Sequence, residues 1–246
     1  MVSGYSSSVE LSANDSLFVG VGEICDSAMR EARADGAALA VLSRSAQSRE
    51  LIYATDGLAQ QLDELQYTIG EGPCFDAYLD NNPQFHPELN STSQASRWPT
   101  FAADAIQLGA RALFAFPIPD GQQPMGVLEL YRRSAGTLDA AECAAVEECT
   151  ATIAHQLATN WEHHVARFGD VEMALDAAAT DDLAPDQAAN PFTRTQIHIA
   201  GGMVAVQLGI DAREGVDRLR AYSYACGRRT SEVAADMIAR RLTLQA

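Results

Sequence analysis

Cys74 follows Gly70-Glu71-Gly72-Pro73. A cysteine just behind such a turn, at the start of a helix, has its thiol among backbone N–H groups that favour the thiolate. The chemistry open to it is redox sensing or nucleophilic attack. A small residue buried behind a tight turn accounts for the same cysteine without chemistry. With Cys25, Cys143, Cys149 and Cys226 it makes an odd set of five at irregular spacing. That pattern predicts free thiols in a reducing, cytoplasmic setting. His86, His155, His163, His164 and His198 show no metal-ligand spacing, so neither metal nor cofactor is expected.

All 17 basic residues are arginine. Without lysine there is no phosphate lysine for a P-loop, no amine for a Schiff base and no lysine for a phospho-receiver site. The arginines are unevenly placed. From Asn190 onward eight arginines face five acids, a charge of +3, whereas the remainder carries nine arginines and 28 acids, −19, within a total of −16. A polyanion would be repelled by the acidic body and would meet the last 57 residues. Arg194, Arg220, Arg228, Arg229, Arg240 and Arg241 are the candidates for phosphate contact, since the guanidinium fork suits phosphate oxygens. Tyr222 and Tyr224 beside them have rings that stack on unpaired bases or fill a core. A solvated helix surface is the bland account of the same arginines.

The elements that position these residues follow from periodicity. Apolar residues at helical spacing predict a helix over Ser16 to Ala34, ending at Asp35-Gly36. Ala37 to Ser43 and Arg49 to Thr55 read as strands, and Ala112 to Ile118 and Met125 to Tyr131 as a hairpin around Asp120-Gly121. Between the pairs lies an excursion from Gly57 to Gly109, with helical pieces at Cys74 to Leu79 and Trp98 to Gly109. Leu138 to Phe168 predicts a helix opened by an Asp139/Glu142 capping box. At roughly 45 Å it outreaches one small sheet, which points to a second copy of the same helix. Asp176 to Pro191, rich in Ala and Asp with two prolines, reads as a linker. Three helices complete the chain: Thr193 to Leu208, one capped by Asp211 and ending at Gly227, and one starting at Thr230. No apolar run reaches the ~20 residues of a membrane span, and no secretory signal is expected.

This order of strands and excursion resembles GAF domains. Leu65 to Cys74 (LQYTIGEGPC), Arg97-Trp98-Pro99 and Phe114-Ala115-Phe116-Pro117 resemble the GAF domain joined to ANTAR domains in actinobacterial regulators. Ile197 to Met203 (IHIAGGM), Leu208-Gly209-Ile210, Leu219 to Tyr222 (LRAY) and Arg228 to Ala234 (RRTSEVA) are similar to ANTAR. The resemblance implies an α+β fold, a GAF-like antiparallel sheet flanked by helices over 1–168, a linker over 169–191, and a small all-α three-helix domain over 192–246. It implies a dimeric transcription antiterminator that binds RNA stem-loops, with Arg194, Arg220, Tyr224, Arg228, Arg229, Arg240 and Arg241 on the RNA side. Where that family commonly has Gln and Lys around the Ala of its first-helix motif, this chain has Ile199 and Gly201.

The GAF resemblance also implies a pocket for an unidentified small molecule. Tyr53, Tyr67, Cys74, Phe75, Trp98 and Phe114 are its candidate lining, with Phe85 nearby, although aromatics also serve as core filling. Three functions stay open: an RNA-binding antiterminator, a protein-interaction scaffold with RNA binding weakened or lost, and a thiol enzyme centred on Cys74. The first is expected, and with it no enzymatic activity.

Overall fold

The computed structural model describes residues 17–42, 49–91, 97–171, 173 and 195–244. Most of the proposed linker (172 and 174–191), Arg194 and the first residues of the chain lie outside them. One antiparallel sheet has the order β2-β1-β5-β4-β3, built from β1 (Gly36–Leu42), β2 (Arg49–Ala54), β3 (Gln84–His86), β4 (Ala112–Ile118) and β5 (Gly126–Arg132). The hairpin expected around Gly121 is β4–β5, in register from Ala112 opposite Arg132 to Ile118 opposite Gly126. β3 is new: three residues are too few to show a period in sequence.

Both faces of the central strands are covered, so period two appears as two different cores. Ala37, Leu39, Phe114, Phe116, Leu128 and Leu130 face one side, against α1 (Val21–Glu31) and α5 (Ala140–Phe168). Ala38, Leu113 and Tyr131 face the other, against α2 (Gly57–Ile69) and α4 (Pro99–Leu108). Ala40, Ala115 and Val127 share that side with α3 (Pro73–Asp80). The capping box of α5 is complete. Asp139 accepts from Glu142 N at 2.8 Å, and Glu142 accepts from Asp139 N at 2.8 Å. Its 29 residues carry Trp161, His164 and Phe168 as a ladder of ring contacts along the far half.

α2 was not legible as a helix. Its buried residues include Asp63, Glu64 and Gln66 beside Leu58, Leu62 and Tyr67. Polar residues on the covered face erase the apolar period that marks a helix.

The C-terminal residues form three packed helices, α6 (Thr195–Leu208), α7 (Ala212–Ala225) and α8 (Thr230–Ile238), around Ile197, Val204, Leu219, Val233 and Met237. Asp211 caps α7, accepting from Glu214 N at 2.8 Å. α6 and α7 approach closely at paired glycines. A Cβ on Gly215 would lie 2.2 Å from the Gly201 carbonyl oxygen, and one on Gly201 would lie 2.4 Å from Val216 Cγ2. Residue 201 is therefore buried against α7, not the surface position that a cationic contact requires.

Gly215→Ala should lower stability by about 1–3 kcal/mol through overpacking against a carbonyl that cannot yield. Gly202→Ala, with open space around its Cβ, should not destabilise. Thermal unfolding of the two variants checks the contrast.

Candidate functional site

The side of the sheet under α2 and α3 holds a buried polar cluster. Glu129 stands in an otherwise apolar strand, between Leu128 and Leu130, and its alternation turns it toward α2. Gln66 donates to Glu129 Oε2 at 2.7 Å, and the Cys74 thiol donates to the same oxygen at 3.0 Å. Gln66 Oε1 in turn accepts from Cys74 N at 2.9 Å. One turn earlier on α2, Asp63 pairs with Arg49 at 2.5 Å, both almost fully buried.

The turn before α3 is shaped for this cluster. Gly72 has φ 139°, and a Cβ there would strike the Gln66 side chain at 2.5 Å. Glu71 Oε1 accepts from Thr100 N at 3.2 Å and Phe101 N at 3.1 Å, satisfying orphan donors at the start of α4. Arg97 pairs with Asp76 at 2.6 Å and lies over the Trp98 ring. The Gly-Glu-Gly-Pro-Cys motif thus joins α2, α3, α4 and β5.

Cys74 departs from the expectation of a lowered pKa. Burial, and then the neighbouring Glu129 charge, push its thiol well above its ordinary value. Burial likewise raises Glu129 above the usual carboxylate range, although Cys74, Arg49 and Gln66 each act to lower it. The thiol stays protonated, donates its hydrogen to Glu129 and has no exposed surface.

A second constellation joins the sheet domain to the C-terminal helices across α2. Arg220 on α7 lies over the Tyr67 ring at 5.1 Å and donates from Nε to Thr68 O at 3.2 Å. Thr68 and Thr230 hydroxyls meet at 2.8 Å, Ser231 donates to Glu64 at 3.2 Å, and Tyr224 donates to Asp104 at 3.3 Å. Tyr67 is itself part of the C-terminal core. A recess of about 420 Å³ opens beside these contacts.

The candidate pocket residues do not share one cavity. Tyr67 and Phe75 line the recess. Tyr53, bonded to Asp26 at 2.8 Å, and Phe114 belong to the opposite side of the sheet. Trp98 packs edge-on against His86 and Phe101 in the α2/α4 core. Phe85 contacts Phe114 and Phe116.

The arginines divide as well. Arg220 faces the sheet domain. Arg228 and Arg241, thirteen residues apart in sequence, converge on Asp236 at 2.7 and 2.8 Å, and Arg229 pairs with Glu232 at 2.9 Å. Arg240 is exposed just beyond α8. Hydrogen bonds from Arg228 and then Arg241 hold the Asp236 carboxyl below its ordinary value. The sequence reading missed Asp63, Gln66 and Glu129. The charge set inside the apolar strand Gly126–Arg132 was the available signal for the last.

No described helix is long and apolar enough to cross a membrane, and the described residues contain no cluster fit to hold a metal ion. The family model for the GAF domain matches residues 20–158. No curated protein matches the chain. Solved structures similar to it include a domain of a putative two-component sensor histidine kinase from Sinorhizobium meliloti, at 14% identity over 59% of this chain and 93% of that one, TM-score 0.46. A GAF domain of a Synechocystis protein in its photoproduct state is similar at 17% identity, over 63% of this chain and 100% of that one, TM-score 0.46. A type II free methionine-R-sulfoxide reductase from Thermoplasma acidophilum is similar at 12% identity, over 55% and 88%, TM-score 0.40.

Asp63→Ala should cost about 3–5 kcal/mol, because it strands the buried Arg49 charge; denaturant unfolding measures it. Glu129 binds its proton more tightly folded than unfolded. Its contribution is therefore complete below the ordinary carboxylate pKa of 4.5 and is lost as pH rises through its folded value. Glu129→Gln, which keeps an acceptor, should flatten that part of the stability–pH curve.

Proposed function

The chain belongs to the GAF domain family, and we propose that it couples a signal received by that domain to RNA binding by its C-terminal helices. On this reading residues 192–246 are an ANTAR-like module and the protein is a transcription antitermination regulator. The observation that carries it is the convergence of Arg228 and Arg241 on Asp236, with Arg229 beside them. Two positions far apart in sequence give one surface of guanidinium groups, 38%, 65% and 53% exposed, on a chain whose body is strongly acidic. Paired carboxylates can be exchanged for phosphate oxygens, which take two parallel bonds from a guanidinium. Arg240 adds a further exposed charge at the same end of α8.

Arg220 and Tyr224, the other candidates for RNA contact, are held against α2 and α4. The described arrangement is then the closed one, in which the sensor covers part of the RNA surface. A signal opens it only by binding the open and closed forms unequally. The long α5, with Trp161 and Phe168 partly covered on its far half and Val171 and Met173 exposed beyond it, suits pairing with a second copy.

The scaffold reading has one observation in its favour. Ile199 and Val206 are 51% and 85% exposed, seven residues apart on α6. An apolar stripe at that spacing is a surface for a protein partner.

The full chain should bind RNA carrying two adjacent stem-loops. Affinity should fall roughly ten- to fiftyfold between about 50 and 200 mM salt, as about three phosphate contacts require. Arg228→Ala/Arg229→Ala should weaken binding and flatten the salt slope. Binding indifferent to salt and to the double variant, or none even from the C-terminal helices alone, would hand the lead to the scaffold.

A further inference from the structure

The recess at the seam is built by both parts of the chain. Arg49, Tyr67 and Phe75 contribute from the sheet domain, and His198, Arg213 and Arg220 from the C-terminal helices. Its two aromatic walls each carry a guanidinium: Arg220 lies 5.1 Å from the Tyr67 ring centroid and Arg49 lies 5.4 Å from that of Phe75. Tyr67 and Arg49 are buried behind the recess, whereas the partly exposed Phe75 offers a flat group an apolar wall. Three arginines and a histidine line the recess against one carboxylate, Asp217. Asp217 is committed to Arg220 at 3.3 Å, and Arg49 is answered from behind by Asp63. Arg213, exposed on the first turn of α7, is the lining cation that no lining carboxylate matches. In a chain of net charge −16 this is a local reversal of sign. About 420 Å³ lies within the range of roughly 300–1,000 Å³ that small-molecule sites occupy, and it is too small for a macromolecule.

We propose that the seam recess binds a small organic anion with a flat apolar part, that part resting on Phe75 and its charge toward Arg213. The site lies outside the sheet core and exists only while the two parts are docked. An anion bound there must therefore stabilise the docked form, because it has no comparable site on the separated one. The binding claim stands on the recess alone, and its consequence rests on the RNA-binding reading. If RNA requires Arg220 to leave α2 and Tyr224 to leave α4, the anion and RNA oppose each other reciprocally.

The test titrates the full chain with 8-anilinonaphthalene-1-sulfonate, an anion with a flat naphthalene ring whose fluorescence rises in an apolar site. Arg213→Glu is compared with Arg218→Glu. Arg218 lies on the same helix but does not line the recess, and both substitutions are on exposed positions. Saturable binding weakened at least tenfold by Arg213→Glu, and unchanged by Arg218→Glu, is the expected result. Phosphate alone, lacking the flat group, should compete poorly. No binding by the full chain, or equal weakening by the two variants, would overturn the site. An RNA arm separates the two ideas. Probe that binds and lowers RNA affinity supports both. Probe that binds normally while no RNA binds under any condition upholds the recess and sinks the RNA reading. RNA binding unaffected by saturating probe overturns the antagonism.

Discussion

Arg49 and Asp63 are removed from water together, and the arrangement of α2 on the sheet depends on that pairing. Two lone charges in such a place would each cost several kcal/mol; as a pair they fix the depth and rotation of the helix, since neither can leave without stranding the other. Gln66, one turn on, then reaches Glu129 and Cys74. Once α2 is fixed on its inner side, its outer side and its end, Tyr67, Thr68 and Glu64, are set in place for the C-terminal helices. One helix therefore answers to a polar core and to an interdomain seam at once.

This explains what could be read in advance and what could not. β1, β4 and β5 were legible because strands covered on both faces are nearly continuous apolar runs. α5, α7 and α8 announced themselves through Asp139, Asp211 and Thr230. α2 was silent because Asp63, Glu64 and Gln66 occupy positions where a sequence argument requires apolar residues. Its partners, Arg49 and Glu129, lie in different strands and carry no local signal of the pairing. Cys74 was visible as a special residue, but its chemistry was not. The turn that would activate a thiol also buries it against a carboxylate, and burial outweighs the helix terminus. The arginines of the tail were legible as a set. That Arg220 turns inward while Arg228, Arg229 and Arg241 gather outward depends on Tyr67 and Asp236, and no spacing rule supplies that.

The motif around Gly70 to Cys74 ties four elements together through short polar contacts. Gly72 makes room for Gln66, Glu71 caps α4, Cys74 donates to Glu129, and Arg97 meets Asp76. Each side chain satisfies a backbone or carboxylate group belonging to another element. Its buried members are intolerant of single changes, because losing Cys74 leaves the Glu129 carboxyl short of a donor and a Cβ at residue 72 strikes Gln66.

The glycine contact between α6 and α7 governs how motion can travel. With Gly215 seated on the carbonyl of residue 201, α7 cannot slide along α6 without riding over the peptide backbone. The two helices are thus locked to one another, and Arg220 of α7 ties both to Tyr67 and Thr68 at the seam. A change that lifts Arg220 off Tyr67 must therefore carry α6 along with α7, so the seam holds or releases the two helices as a unit.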